Sequence, residues 1–494
     1  SGGFAERQAG EVARGHVGAH RTRGLGGLEQ VTEAPGDLAP ALDGGHLDRR
    51  VPAQAQQQGH LGLLLRQHPE RAADGRLDLR AGVVPRAGQH LIQVGRVGEL
   101  EALIRDVERL AESGSAFRVV IGEYGAGKTF FLNLVRSIAM ERKLVTMHAD
   151  LNPDRRLHAT GGQARSLYAE LAKNMSTRTK PDGGALQGIV EKFVAQAKTE
   201  AKASGKDSEA VIREHLDQLA EMVNGYDFAD VIAAYCKGFE EGNEQLKADA
   251  IRWLRGEFTT KTDARTALGV RTIVDDASVY DQLKLLARFV RLAGFSGLMV
   301  CLDELVNLYK LSNTQARNAN YEQILRILND SLQGSAEGLG FVLGGTPEFL
   351  MDTRRGLYSY PALQSRLAEN NFAKSGLVDL SGPVIRLTSL TPEDFYVLLQ
   401  KLRHVYAAGV SERYLLPDEA LPLFMAHCNQ RMGEAYFRTP RTTITAFISL
   451  LAVLEQNPDA DWRTLLGAVE IAPDRGGEAD IQVDADDELA TFQL

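Results

Sequence analysis

Apolar positions along the chain fall into distinct regimes. Up to about residue 80 they are scattered or bunched, as at Leu61-Gly62-Leu63-Leu64-Leu65, and no period is sustained. Order is expected to begin near Gly82. Leu100, Ile104, Val107 and Leu110 then recur at helical spacing, with Gly114 closing that helix. Phe117 to Ile121 predicts a strand, followed by a glycine-rich turn. Phe131, Leu132, Val135 and Ile138 predict the inner face of a helix, and Leu144 to His148 a second buried strand ending at Asp150. Strand, helix, strand is the unit from which parallel sheets are built.

From about 155 to 293 the pattern is helical. Ile189, Phe193 and Ala197 share one face, and Ile212, Leu216 and Leu219 another. Leu283, Leu286, Phe289 and Val290 mark a last helix ending at Gly294. So long a helical block between two strands of one sheet predicts an insertion. The sheet resumes at Leu298 to Leu302, a helix covers Tyr321 to Leu332, and Phe341 to Gly345 and Val384 to Leu387 predict two more strands. From Thr391 onward the pattern is helical again, through Phe395, Leu421 to Cys428 and Thr443 to Leu454. The expected organisation is an extension over 1–80, an α/β core over 81–388 carrying the insertion, a helical part over 389–470 and an acidic tail over 471–494.

Composition changes this picture in one place. Residues 1 to about 80 contain no Lys, Tyr, Trp, Ile or Met, and the first lysine of the chain is Lys128. That predicts a stretch without a packed core, or sequence outside the natural reading frame or start, rather than a functional arm. The remainder is ordinary for a globular protein, with 44% hydrophobic and 24% charged residues over 494 positions. A net charge of −9 argues against a general nucleic-acid coat, while leaving room for a local basic groove. Cys236, Cys301 and Cys428 are too far apart for a zinc ribbon or a disulfide framework. Neither a secretory signal nor a membrane-length apolar run is apparent. A reducing, cytoplasmic setting without membrane partners is expected.

The chemistry is concentrated in Gly122-Glu123-Tyr124-Gly125-Ala126-Gly127-Lys128-Thr129, which matches G-x-x-x-x-G-K-[ST]. Glycines let the backbone wrap closely, so its N–H groups point at phosphate oxygens. The helix behind them adds its positive end. Lys128 supplies a compact charge for β- and γ-phosphates, and the Thr129 hydroxyl can hold Mg²⁺. The competing reading is a glycine turn with an exposed lysine. A second acidic group is needed, and the apolar run Leu298-Met299-Val300-Cys301-Leu302 delivers Asp303 and Glu304 at a strand's carboxyl end. Asp303 would hold Mg²⁺, and Glu304 would polarise the attacking water. The plainer reading of Glu304 is a solvated acid at a helix start.

Three further positions extend the constellation. Thr346 ends the strand Phe341 to Gly345 and could sense the γ-phosphate, or simply cap the helix starting at Pro347. Arg366 falls after a helix and before the last strand. There it could stabilise phosphoryl charge in a neighbouring subunit, in competition with Arg354 or Arg355 or as a surface ion pair. Arg441, after Pro440, could reach back to the phosphates, and a bound anion would offset the cost of a cation in a helix's first turn.

This order of parts resembles the AAA+ ATPases, in particular the branch with origin-recognition and transposition-regulator ATPases. Val94-Gly95-Arg96 with Glu99-Leu100 resembles that branch's lead-in motif, which passes near adenine, so Gly95 and Arg96 join the expected nucleotide-binding set, as does Phe130 after the glycine loop; Val97 stands where a glutamate is usual. Longer segments are similar to the BrxD ATP-binding proteins of BREX phage-defence systems. They are Phe117 to Leu132, Ala149-Asp150-Leu151-Asn152-Pro153-Asp154-Arg155-Arg156-Leu157-His158, and Thr177-Arg178-Thr179-Lys180-Pro181-Asp182-Gly183-Gly184. The resemblance covers about residues 82 to 470. It implies a P-loop AAA+ sheet of order 5-1-4-3-2 with a helical insertion and a C-terminal helical lid, ATP and Mg²⁺ as ligands, an oligomer, and partners among other defence proteins.

Three functions compete on the sequence alone: an ATP-driven switch or motor coupled to DNA or DNA-bound partners, a slow nucleotide-gated signalling scaffold, and a phosphotransferase, for which no acceptor site is evident. Arg155, Arg156, Arg165, Lys173, Arg178 and Lys180 could form a phosphate-contacting face, or a solvated surface of the insertion.

Overall fold

The computed structural model describes residues 93–370, 379–432 and 440–468. The expectations for residues 1–80, the start of order near Gly82, and the acidic tail lie outside the described residues.

Five strands, β1 (Ala116–Ile121), β2 (Leu144–Asp150), β3 (Gly297–Asp303), β4 (Leu339–Gly345) and β5 (Val384–Arg386), form one sheet. All pairings are parallel and the order is β2-β3-β4-β1-β5, which read from the β5 edge is 5-1-4-3-2. Both faces of the sheet are covered, which is why β3 and β4 are apolar throughout rather than alternating. On one face Met299, Cys301 and Val342 pack with the apolar stripes of α1 (Val97–Ala111) and α2 (Lys128–Glu141). On the other, Val300, Leu302, Phe341 and Leu343 join a larger core built mainly from the insertion.

Register sets where the strands end. Asp150 is opposite Asp303, and Ile121 is opposite both Gly345 and Arg386. The carboxyl ends of all five strands therefore make one rim, the edge at which open α/β sheets bind ligands.

Between β2 and β3 run seven helices: α3 (Gln163–Lys173), α4 (Leu186–Ser204), α5 (Ser208–Ala220), α6 (Gly225–Glu241), α7 (Glu244–Leu254), α8 (Lys261–Leu268) and α9 (Val279–Leu292). All but α8, which buries only Ala264, bury a stripe, and several of these meet through large rings. Phe289 lies edge-on to Phe193 at 5.3 Å and to Phe228 at 5.7 Å between centroids. The insertion shares one continuous apolar core with the sheet, so it is built into the fold rather than hung from a loop.

After β3 come α10 (Val306–Tyr309) and α11 (Thr314–Gln333), and after β4 come α12 (Pro347–Met351) and α13 (Pro361–Leu367). Beyond β5, α14 (Pro392–Tyr406), α15 (Ala420–Met432), α16 (Pro440–Gln456) and α17 (Trp462–Ala468) surround a separate apolar core that includes Phe395, Leu399, Phe424 and Phe447. A capping box starts α14: Thr391 Oγ1 accepts from Asp394 N at 3.1 Å, and Asp394 Oδ2 accepts from Thr391 N at 3.1 Å. Among the described residues no helix is long and apolar enough to cross a membrane, and the three cysteines are buried and unbridged.

Candidate functional site

The glycine loop leaves β1 at the rim and turns into α2. Gly125 and Gly127 have φ of 75° and 86°, a left-handed backbone that side chains other than glycine adopt at a cost. The loop closes on itself through Lys128, whose Nζ donates to the carbonyls of Gly122 at 2.9 Å and Glu123 at 3.0 Å. Thr129, next along the helix, donates from Oγ1 to Asp303 Oδ2 at 2.6 Å. The hydroxyl and carboxylate that the sequence set 174 residues apart are in direct contact.

Asp303 is buried because β3 is an inner strand flanked on both sides. Its carboxylate presses against β4, where a Cβ on Gly344 would stand 2.4 Å from Asp303 Oδ1. Position 344 therefore has to be glycine for Asp303 to hold this rotamer. Immediately afterwards the chain turns. Glu304 has φ 58°, rare for a residue with a long side chain, and its N–H donates to Asp303 Oδ1 at 2.9 Å. Leu305 N then bonds Gly344 O at 3.1 Å, holding the bend. Since α10 starts only at Val306, Glu304 is not a first-turn helix acid. Backbone strain of this kind concentrates at working sites.

The electrostatics follow from crowding. Burial pushes the Lys128 ammonium below its usual range, against the pull of Asp303, Glu304 and Glu123. Burial first, and the charge of Asp303 next, raise the Glu304 carboxyl above the usual carboxylate range, with Lys128 opposing. Asp150, at the end of β2, is raised by burial and by Asp303. Three carboxylates thus share a rim with one lysine. The donors present, a hydroxyl and carboxylate oxygens, are hard ligands suited to Mg²⁺, which retains waters and takes phosphate oxygens. Among the described residues no group of three or more His, Cys, Asp or Glu could hold a metal ion unaided. Thr129 and Asp303 are the side chains that fit an ion arriving with a nucleotide.

Two arginines reach the loop from outside the sheet. Arg96 donates from Nη2 to Ala126 O at 2.8 Å and from Nε to Thr388 O at 3.0 Å, tying the loop to the segment after β5. Arg96 and Gly95 are both left-handed, with φ of 55° and 59°. A Cβ on Gly95 would meet Asp394 Oδ2 at 2.9 Å. Val97 is exposed; two residues on, the buried Glu99 carboxylate accepts from Thr388 Oγ1 at 2.8 Å. Arg441, near the start of α16, lies over the Tyr124 ring at 5.3 Å and donates from Nη1 to its hydroxyl at 3.2 Å. Phe130 and Val94 pack against the C-terminal core.

Other sequence candidates make local contacts of their own. Thr346, just past the end of β4, caps α12, its hydroxyl accepting from Phe349 N at 3.5 Å. Arg366 lies within the last turn of α13 rather than after a helix; it is exposed, and its Nη1 bonds Ala362 O at 3.0 Å, within its own helix. Arg355 is committed to the Leu311 carbonyl at 3.0 Å and stacks over Tyr309, whereas Arg354 is exposed. The supposed basic face is partly neutralised. Arg155 and Lys173 both face Glu170, at 3.2 and 3.9 Å, and Arg178 faces Glu141 at 3.3 Å. Arg165 bonds the Phe258 carbonyl at 3.3 Å.

Sequence reasoning did not assign Asp150 to the site, nor the contact between Tyr124 and Arg441. A strand-end acid gave a faint signal for the first. The second depends on how α16 packs, which no local pattern reports.

A parallel five-stranded α/β sheet with a glycine loop, a lysine and a strand-end acid on its carboxyl rim is compatible with a P-loop fold. More narrowly, the family model "BREX system ATP-binding protein BrxC/D" matches residues 77–470, and the chain belongs to this family of ATP-binding proteins. None of the curated proteins compared with the chain matches it.

Proposed function

We propose that the chain is an ATP-hydrolysing AAA+ switch or motor of BREX phage defence, working as an oligomer with other defence proteins and with DNA or DNA-bound partners. The observation that carries the reading is the 2.6 Å contact between Thr129 and Asp303 beside a lysine looped over carbonyls, a cradle ready to exchange those contacts for phosphate oxygens. When ATP binds, Lys128 leaves Gly122 and Glu123 for the β- and γ-phosphates. The loop N–H groups and the start of α2 share that charge. Mg²⁺, held by Thr129 and Asp303 with its own waters, would neutralise phosphate charge. Glu304 orients water and takes its proton, and its raised affinity for a proton suits that role. The C-terminal helices serve as the lid, carrying Arg441.

The test is Glu304→Gln. Turnover is expected to fall by about a hundredfold or more, the usual size of a lost general base, while a fluorescent ATP analogue still binds. Unchanged turnover would remove Glu304 from the chemistry. The slow-scaffold reading draws support from Arg366 being exposed and bonded within its own helix, so that a lone subunit would lack its charge at the phosphates. Under it, Glu304→Gln keeps or strengthens partner binding, with little turnover to lose.

A further inference from the structure

Arg441, near the start of α16, touches the phosphate-binding loop with its side chain, and it does so through Tyr124. Both partners are exposed, Tyr124 at 43%. An exposed tyrosine inside a phosphate loop has no apolar core to fill, so the fold does not account for it. The arginine beneath it does. The guanidinium covers the ring face and spends Nη1 on the phenol oxygen. Nε and Nη2 have no hydrogen-bond partner among the described residues. Arg441 also lies close enough to the catalytic end for its charge to act on Lys128 and Glu304.

We propose that Tyr124 is a positioning residue for Arg441: its ring and hydroxyl fix the guanidinium beside the loop, leaving the remaining donors for the terminal phosphate of ATP. The inference rests on the nucleotide reading above and deepens it. An arginine on a helix start, with rotamer freedom and no anchor, would lose entropy on meeting the phosphate. A stacked and hydrogen-bonded one has already lost it. The gain falls on the γ-phosphate alone, so it discriminates ATP from ADP.

The experiment measures binding of fluorescent ADP and of a fluorescent non-hydrolysable ATP analogue, with Mg²⁺, to the full chain and to Tyr124→Ala, Tyr124→Phe, Arg441→Ala and the double variant. Tyr124→Ala should weaken the ATP analogue roughly three- to tenfold and ADP less than about twofold. Tyr124→Phe, which keeps the ring, should fall between Tyr124→Ala and wild type. The double variant should be no weaker than Arg441→Ala, because both act through one contact. Equal weakening of both nucleotides would mean that Tyr124 touches the nucleotide or shapes the loop, and the proposal fails. Additive losses, or no loss in Tyr124→Ala, overturn it as well. A wild-type chain that binds neither nucleotide overturns the nucleotide reading itself.

Discussion

Glu304 illustrates how a single residue can be kept at a cost. Its backbone is left-handed, and its carboxylate stands beside Asp303 and Asp150 in a partly buried corner. Burial and like charge raise its affinity for protons in the folded chain, so folding is opposed by its ionisation. The sign is therefore the reverse of an ordinary paired carboxylate. Above the folded-state pKa the charge destabilises, and below the unfolded pKa it has no effect. Glu304→Gln is expected to raise the melting temperature of the nucleotide-free chain at pH 7 to 8, with the gain disappearing as the pH drops through the carboxylate range. A thermal shift that does not vary with pH would contradict this. Gly344 is the complementary residue-scale case. Gly344→Ala drives a methyl into Asp303 Oδ1, a 2.4 Å approach. A loss of about 1–3 kcal/mol in denaturant unfolding is expected from overpacking, together with a loss of Mg²⁺-dependent nucleotide affinity that stability alone would not produce.

At the scale of elements, the site depends on two ties between segments distant in sequence. Arg96 and Glu99, at the start of α1, hold the Thr388 segment that leads into the C-terminal helices, while Arg96 also grips the loop at Ala126. The second tie is buried. Arg118 of β1 pairs with Asp106 of α1, its Nη2 bonding Oδ1 at 3.2 Å, and its Nη1 donates to the carbonyls of Leu380 at 3.2 Å and Ser381 at 3.1 Å before β5. Three elements thus meet on one guanidinium. Removing one partner of such a buried pair leaves the other charge uncompensated. Arg118→Met should lower unfolding free energy by about 3–5 kcal/mol, measured in urea. The β5 edge should be affected first, visible as faster hydrogen exchange at Val119, whose N–H donates to Pro383 O beside β5. A loss under about 1 kcal/mol would show the pair to be dispensable.

For the whole molecule, what matters is what one chain lacks. Arg366 is exposed and points its guanidinium back along its own helix, where Nη1 bonds Ala362 O. If it completes a neighbour's site, turnover per subunit should rise with protein concentration and then level off. Arg366→Ala should flatten that rise while leaving nucleotide binding by the isolated chain unchanged. Turnover by Arg366→Ala that matches wild type at every concentration would exclude it as the residue acting in trans. The ion pairs of Arg155, Lys173 and Arg178 with Glu170 and Glu141 bear on partners too. A phosphate backbone would have to displace those carboxylates, so any DNA affinity through this face should be weak and steeply dependent on salt.

Much of this was legible in the linear order of residues. Spacing alone marked the loop Gly122 to Thr129, since glycines, lysine and threonine act within one turn and need no distant context. Helical and strand periods located the βαβ unit, the insertion and the helical C-terminal part, because burial of one face leaves its period in the sequence. Contacts across long separations left no such trace. That Asp150 joins Asp303 at the rim, that Glu304 turns left-handed, and that Arg441 rests on Tyr124 were decided by strand register and helix packing. These depend on the sum of many weak apolar contacts over the whole fold, so no single segment encodes them.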